Sequence, residues 1–433
     1  MKGSPITIES QRGQANASGR VMPGPDDWGG VHGLHETTLK LRRYCEANDW
    51  AGYDPYDALN SRIFDALPFL NGRWPRLILT QTLKRCPVNL RDLLGVPRTQ
   101  NPKALALFLS SLLKISRLES GSGTGPATEM VERLVALRSP GIEYWCWGYS
   151  FPWQTRTIVV PKSAPNLVCT TFVAGSLLDA YERLGGEHLL AMAKSAGDYL
   201  LNELYYTDPG KVASFSYPLP NLGSKVHNAN FLAAALLSRL FHHTGDERLL
   251  EPALRVARYS ASRQEGDGSW MYGDLPTQQW IDNFHTGFNL SALRTISSCL
   301  EVTEFDSHIR RGFEFYRNHF VREDGVPRYF HNKTYPIDIH CVAQTLLTLL
   351  EFQDLNQANL SLARTVYAWA VKEMWDEDGF FYYRKLPLLT IKTSYMRWAQ
   401  AWMLLALSTF AEHEGQLRSS HSLPRTLSAS PAV

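Results

Sequence analysis

The sequence predicts an all-α protein, an (α/α)6 toroid of helical hairpins with short aromatic β-hairpins at one mouth. Three Asp-Gly turns, at Asp267, Asp324 and Asp378, each follow an amphipathic helix and open an aromatic segment, and they are spaced by 57 and 54 residues. A repeat of that length marks a supersecondary unit used several times over. Two kinds of helix also alternate. One is apolar nearly all round and rich in small residues; the other carries an apolar stripe at 3–4 spacing with charges between.

One unit therefore reads as an aromatic hairpin, a buried inner helix, a tight turn and a half-exposed outer helix. The expected inner/outer pairs are 101–118/126–138, 166–183/187–205, 227–242/246–264, 283–300/304–320 and 338–353/357–374. The last inner helix, 395–411, takes its outer partner from the N-terminal region, from 36–47 or 56–67. Such a unit cannot bury its apolar face alone, and a closed ring removes exposed ends. Residues 31–412 form this one domain. The Gly-rich segment 1–30 and the Ser/Pro-rich tail 413–433 lack periodicity and are expected to be disordered.

The charge balance is nearly even, 44 basic against 42 acidic residues, which argues against a nucleic-acid or anionic-membrane binder and for neutral polar partners. No uncharged apolar run is long enough to span a bilayer, and the first residues contain no apolar signal segment. The expected location is the cytoplasm, with the six scattered cysteines reduced. No metal or cofactor is expected. Cys146 and the pair His340–Cys341 are far apart in the chain without an evident third ligand, and no phosphate-binding glycine loop occurs.

Polar residues gather where the inner helices begin. His227, Asn228 and Asn230 open one, Asp282, Asn283 and His285 the next, Asp338 and His340 the third, and Tyr395, Arg397 and Trp398 the last. An N-cap needs only one such side chain. In a toroid these starts converge on one mouth, joined by Trp153, Gln154 and Arg156 of the first hairpin, with Trp270 and Tyr335 from later ones. Aromatic faces with carboxylates, amides and arginines suit sugar rings. Trp153, Trp270 and Trp398 are the expected stacking platforms. Asp282 and Asp338, at matching places on neighbouring repeats, are the expected acid and base of glycoside hydrolysis, with His285 and His340 beside them. Proton abstraction from C5 of a uronate would instead use Tyr335, His285 or His340 as base, with Arg156 and Arg397 on the carboxylate. A non-catalytic glycan-binding or scaffold role is the remaining alternative.

The stretches "YWCWGYSFPWQTR", "VHNANFLAAALL", "GSWMYGD…WIDNFHTGFNLSAL" and "YPIDIHCVAQTLLTL" resemble a family encoded in bacterial surface-polysaccharide gene clusters. Its members carry prenyltransferase-like or δ-aminolevulinate dehydratase-like names. The resemblance spans residues 140–410 and implies a six-hairpin, glycosidase-like toroid working in exopolysaccharide or capsule production. It implies an oligosaccharide or lipid-linked glycan as substrate, and polysaccharide assembly proteins as partners. It brings no catalytic residue set, and a TIM barrel, which the dehydratase name would require, conflicts with the repeat.

Overall fold

The structure is a computed structural model that describes residues 30–119, 123–155 and 158–422. Helix α1 (Gly30–Ala47) leads into two short helices, α2 (Ile63–Ala66) and α3 (Arg73–Arg85), and then into the first hairpin, α4 (Pro102–Leu118) and α5 (Gly125–Ala136). The second pairs α6 (Leu167–Leu184) with α7 (Glu187–Tyr199), and the third α8 (His227–Thr244) with α9 (Leu250–Ala261). The fourth pairs α10 (Asn283–Leu300) with α11 (Asp306–Phe320), the fifth α12 (Ile339–Glu351) with α13 (Asn359–Met374). A π-helical turn, Met396–Gln400, opens the last helix, α14 (Ala401–Ser422).

This is the toroid the repeat predicts. Helices α4, α6, α8, α10, α12 and α14 lie side by side, and α14 closes the ring on α4. Helices α5, α7, α9, α11 and α13 back them from outside, and α1 backs α14. Of the two stretches considered for that sixth outer place, 36–47 holds it, within α1. Inner helices sit close because small residues face their neighbours: Ala229, Ala233 and Ala234 of α8 and Ala399, Ala401 and Ala406 near α14 are fully buried. Outer helices bury one stripe, as Ala253, Val256, Ala257 and Ser260 do on α9.

The Asp-Gly turns join one repeat to the next. Gly268, Gly325 and Gly379 have φ of +93°, +75° and +92°, and each lies against the following outer helix, at Arg311, Thr365 and Lys40. The last of these contacts reaches α1 across the ring closure.

Short strands hold the mouth: β1 (Trp153–Gln154) with β2 (Val159–Val160), β3 (Tyr205–Thr207) with β4 (Ala213–Phe215), and the sheet of β5 (Ile337–Asp338), β6 (Arg384–Lys385) and β7 (Thr390–Ile391). The first amide of an inner helix has no partner within the helix. Here that amide reaches a tyrosine carbonyl in another repeat: His227 to Tyr272, Asn283 to Tyr329, Ile339 to Tyr383, and Met396 to Tyr53. The same bond therefore sets the entry of four inner helices.

Helical backbone continues past the expected boundary at residue 412, to Ser422. The disorder expected for 1–29 and 423–433 lies outside the described residues. Among the described residues no helix is long and apolar enough to cross a membrane.

Candidate active site

Six side chains, one from each inner helix, define a cavity of about 460 Å³ at the mouth. They are Lys103, Val168, Asn228, Phe284, His340 and Arg397, and each is the second residue of its helix or helical opening. The first residue of each start (Pro102, Leu167, His227, Asn283, Ile339, Met396) is buried between helices instead. Loop aromatics complete the wall: Tyr149, Phe151 and Trp153 from the first hairpin, Tyr217, Tyr272 and Trp280, and then Tyr329 and Phe330. Tyr56 closes the N-terminal side. The cavity falls within the size range of small-molecule sites.

One arrangement stands out chemically. Asp282 caps α10 by accepting the His285 backbone N–H at 3.0 Å through Oδ1. Its Oδ2 lies 2.8 Å from Nδ1 of His285 and 3.2 Å from Nε1 of Trp280. A carboxylate accepts, so Nδ1 carries the proton and the lone pair falls on Nε2. His285 is part-exposed to the cavity, its ring 4.7 Å from Tyr272, which stacks on Trp280. This is an imidazole held in one tautomer by a buried carboxylate.

His340 is held differently. Its ring lies between Phe284 and Trp402, 4.6 Å from each, with Trp398 edge-on at 4.7 Å. Neither ring nitrogen has a hydrogen-bond partner. Burial, with the cations Lys103 and Arg397 nearby, pushes its pKa well down, so it is a neutral imidazole. Burial raises the pKa of Tyr149, Tyr217, Tyr272 and Tyr329, which keeps these phenols protonated as donors.

The sequence-predicted residues divide sharply. Asp282, His285, His340, Asn228, Trp153, Arg397 and Trp398 line the cavity. Asn228 brings an unpartnered Oδ1 and Trp153 an unpartnered Nε1. Arg397 is not free: it makes a bidentate pair with Asp54, at 2.6 and 2.9 Å. Asp338 is absent from the lining. Its Oδ2 takes both Nε and Nη2 of Arg384, and its Oδ1 accepts Nε1 of Trp398 and the His340 N–H. It is fully buried and serves as cap and ion-pair partner.

Several others hold the frame. His227 lies 3.2 Å from Asp274 Oδ1 through Nε2 and meets Ser260 through Nδ1. Asn230 binds Ser214, Phe215 and Ser260, fixing β4 on α8 and α9. Asn283 ties α10 to Thr345 and Tyr316. Trp270, expected as a stacking platform, is 2% exposed in the core, its Nε1 on the Ser260 carbonyl. Tyr395 is wholly buried against Tyr383 and Arg91. Tyr335 and Gln154 do not line the cavity, and Arg156 lies outside the described residues. Lys103, Tyr56, Tyr217, Tyr272, Trp280 and Tyr329 enter the site without having been read from the sequence.

The floor is aromatic. Phe172, Phe288 and Trp402 meet at 5.3–5.7 Å, and a second cavity of about 310 Å³ lies beyond them. It is lined by axial residues further down the inner helices, among them Ser110, Gly175, Leu236, Ser291, Leu347 and Leu405.

No protein-family model matches the sequence, and no curated protein does. Among solved structures, the GH76 α-mannanase of Bacteroides thetaiotaomicron superposes with a TM-score of 0.58 at 13% identity, covering 75% of this chain and 89% of that one. The cellobiose 2-epimerase of Bacillus thermoamylovorans gives 0.57 at 11%, covering 73% and 90%. An unsaturated glucuronyl hydrolase specific for heparin gives 0.57 at 13%, covering 90% and 98%. At such identities the likeness is one of fold: this chain is built as those helical toroids are.

Proposed function

We propose that the chain is a carbohydrate-active enzyme that removes a proton from a sugar carbon adjacent to a carbonyl or carboxyl group. The supporting observation is the Asp282–His285 pair facing an aromatic cavity in which Asp282 is the one carboxylate among the described lining residues. His285 Nε2 takes the proton, and Asp282 stabilises the imidazolium that forms. The electron pair moves onto the neighbouring oxygen, where tyrosine hydroxyls and neutral His340 offer donors. Return of the proton gives an epimer or isomer; loss of a β-substituent gives an alkene.

Hydrolysis by paired Asp282 and Asp338 has less support. It needs two carboxylates facing one bond with room for attack, and every oxygen of Asp338 is engaged away from the cavity. The structural neighbours include a hydrolase, an epimerase and a glucuronyl hydrolase, so the toroid accommodates each chemistry. A role in exopolysaccharide or capsule synthesis, on an oligosaccharide or lipid-linked glycan and beside assembly proteins, belongs to this reading through the family resemblance alone.

Proton NMR in D₂O, with neutral reducing oligosaccharides and uronate-containing ones, tests it. Exchange of a ring or C2 proton, or new alkene signals, is the expected result. New anomeric signals from bond cleavage without such exchange would return the assignment to hydrolysis. Replacing His285 by Ala should lower kcat about 10²–10⁴-fold.

A further inference from the structure

Among the described lining residues two lysine or arginine side chains reach the cavity, Arg397 and Lys103, and only the first is closed in an ion pair. Arg397 holds Asp54, Arg384 holds Asp338, and Arg91 holds Asp57 at 2.7 Å. Lys84 donates to the Tyr56 hydroxyl. Lys103 has no such partner among the described hydrogen bonds and ion pairs. It stands at the start of α4, only 4% exposed, yet it lines the cavity. Its Nζ lies 4.0 Å from the centre of the Phe172 ring, 5.2 Å from Trp402 and 5.4 Å from Phe288. It thus sits directly over the aromatic floor. His340 stacks on the same Trp402, with both ring nitrogens unpartnered.

An ammonium taken from water without an acceptor is costly, and three ring faces offset only part of that cost. Burial accordingly pushes the Lys103 pKa well down. A group that supplied a carboxylate oxygen there would favour the charged form and form a charge-assisted hydrogen bond.

We propose that the substrate is an acidic sugar whose carboxylate is received by Lys103, with His340 as neighbouring donor. This rests on the reading that the cavity binds a sugar. A single unpaired ammonium matches a monoanion. A phosphate dianion calls for several donors, usually a cluster of backbone amides or arginines, and here Arg397 is already committed to Asp54. The assignment also fits the chemistry proposed for His285. A carboxylate held against a cation makes the adjacent carbon proton more acidic, because charge developing on its oxygens is stabilised.

Ligand-detected NMR and calorimetry on the full chain test this with matched pairs: glucose against glucuronate, galactose against galacturonate, and cellobiose against its uronic acid counterpart. Glucose 6-phosphate is the dianionic probe. Wild-type protein should bind the uronates at least tenfold more tightly than the neutral parents, and Lys103→Met, checked for fold by circular dichroism, should abolish that preference. Equal binding of acidic and neutral sugars to the wild type overturns the inference while leaving the proposed function standing. A preference that survives in Lys103→Met also overturns it. Tightest binding of glucose 6-phosphate would replace the carboxylate by a phosphate and refute the monoanion argument. Absence of binding by every sugar would refute both this inference and the carbohydrate reading. The wild-type comparison decides even if Lys103→Met fails to fold.

Discussion

His340 couples the cavity to pH. Its folded-state pKa lies well below the ordinary histidine value because the ring is buried beside cations. Below about pH 6.5 the unfolded chain binds a proton that the folded chain refuses. This contribution to stability is therefore complete above the unfolded pKa and declines as pH falls through it, by at most about 1.4 kcal/mol per pH unit. Denaturant titrations from pH 8 to 5 should show that decline, and His340→Phe should flatten it. Asp282→Asn gives a different readout. The amide still caps α10 but no longer stabilises an imidazolium, so kcat should fall about 10²-fold or more while the fold persists. Full activity in Asp282→Asn would remove His285 from the base role.

At the scale of the inner helix, the difference between what was and was not legible comes down to one position. The sequence shows a polar cluster at four of the six starts, but cap, first and second residues point three ways. Asp338 and His340 are two residues apart, yet one is sealed under Arg384 and the other faces the axis. Asn283 and His227, first residues, turn into the helix interfaces; Asn228, beside His227, lines the cavity. The repeat frame already contained the answer, since the second-residue position recurs around the ring. Lys103 and Val168 were missed because their starts carry no histidine or carboxylate to attract notice. Tyr56, Tyr217 and Tyr329 sit in loops whose approach to the axis only the closed ring reveals.

The caps make testable claims about stability. Asp338→Ala should destabilise by about 3–5 kcal/mol, because Arg384 would remain buried without its partner. A second change, Arg384→Met, should recover part of that loss in the same urea titration. Gly325→Ala should cost more than about 1 kcal/mol, since its φ is +75° and a Cβ would lie 2.8 Å from Thr365. An unchanged melting temperature would refute the view that this turn is a fixed joint between repeats.

For the whole molecule, closure falls to α1. Leu34, Leu41 and Cys45 are fully buried, and Thr37 meets the Tyr367 hydroxyl of α13 at 3.0 Å. The ring is thus completed by residues from opposite ends of the chain. Leu41→Ala should cost about 2–5 kcal/mol. It should also shift the unfolding of all six hairpins together, which a single calorimetric transition would show. The number of hairpins was readable from spacing. The choice of closing helix was not, because both N-terminal stretches carry enough apolar residues and only the packing of α1 on α14 distinguishes them.

The π-turn Met396–Gln400 gives the last inner helix one residue more than its neighbours need to reach the floor. Phe172 and Phe288 lie four residues below Val168 and Phe284, whereas Trp402 lies five below Arg397. Shortening that turn by one residue would swing the indole away from the axis by roughly 100°. The two cavities would then run together into a bore. With the turn intact, the central well has a bottom, and whatever enters must leave by the way it came. On the carbohydrate reading proposed above, a long polymer would offer such a well its tip rather than a mid-chain bond.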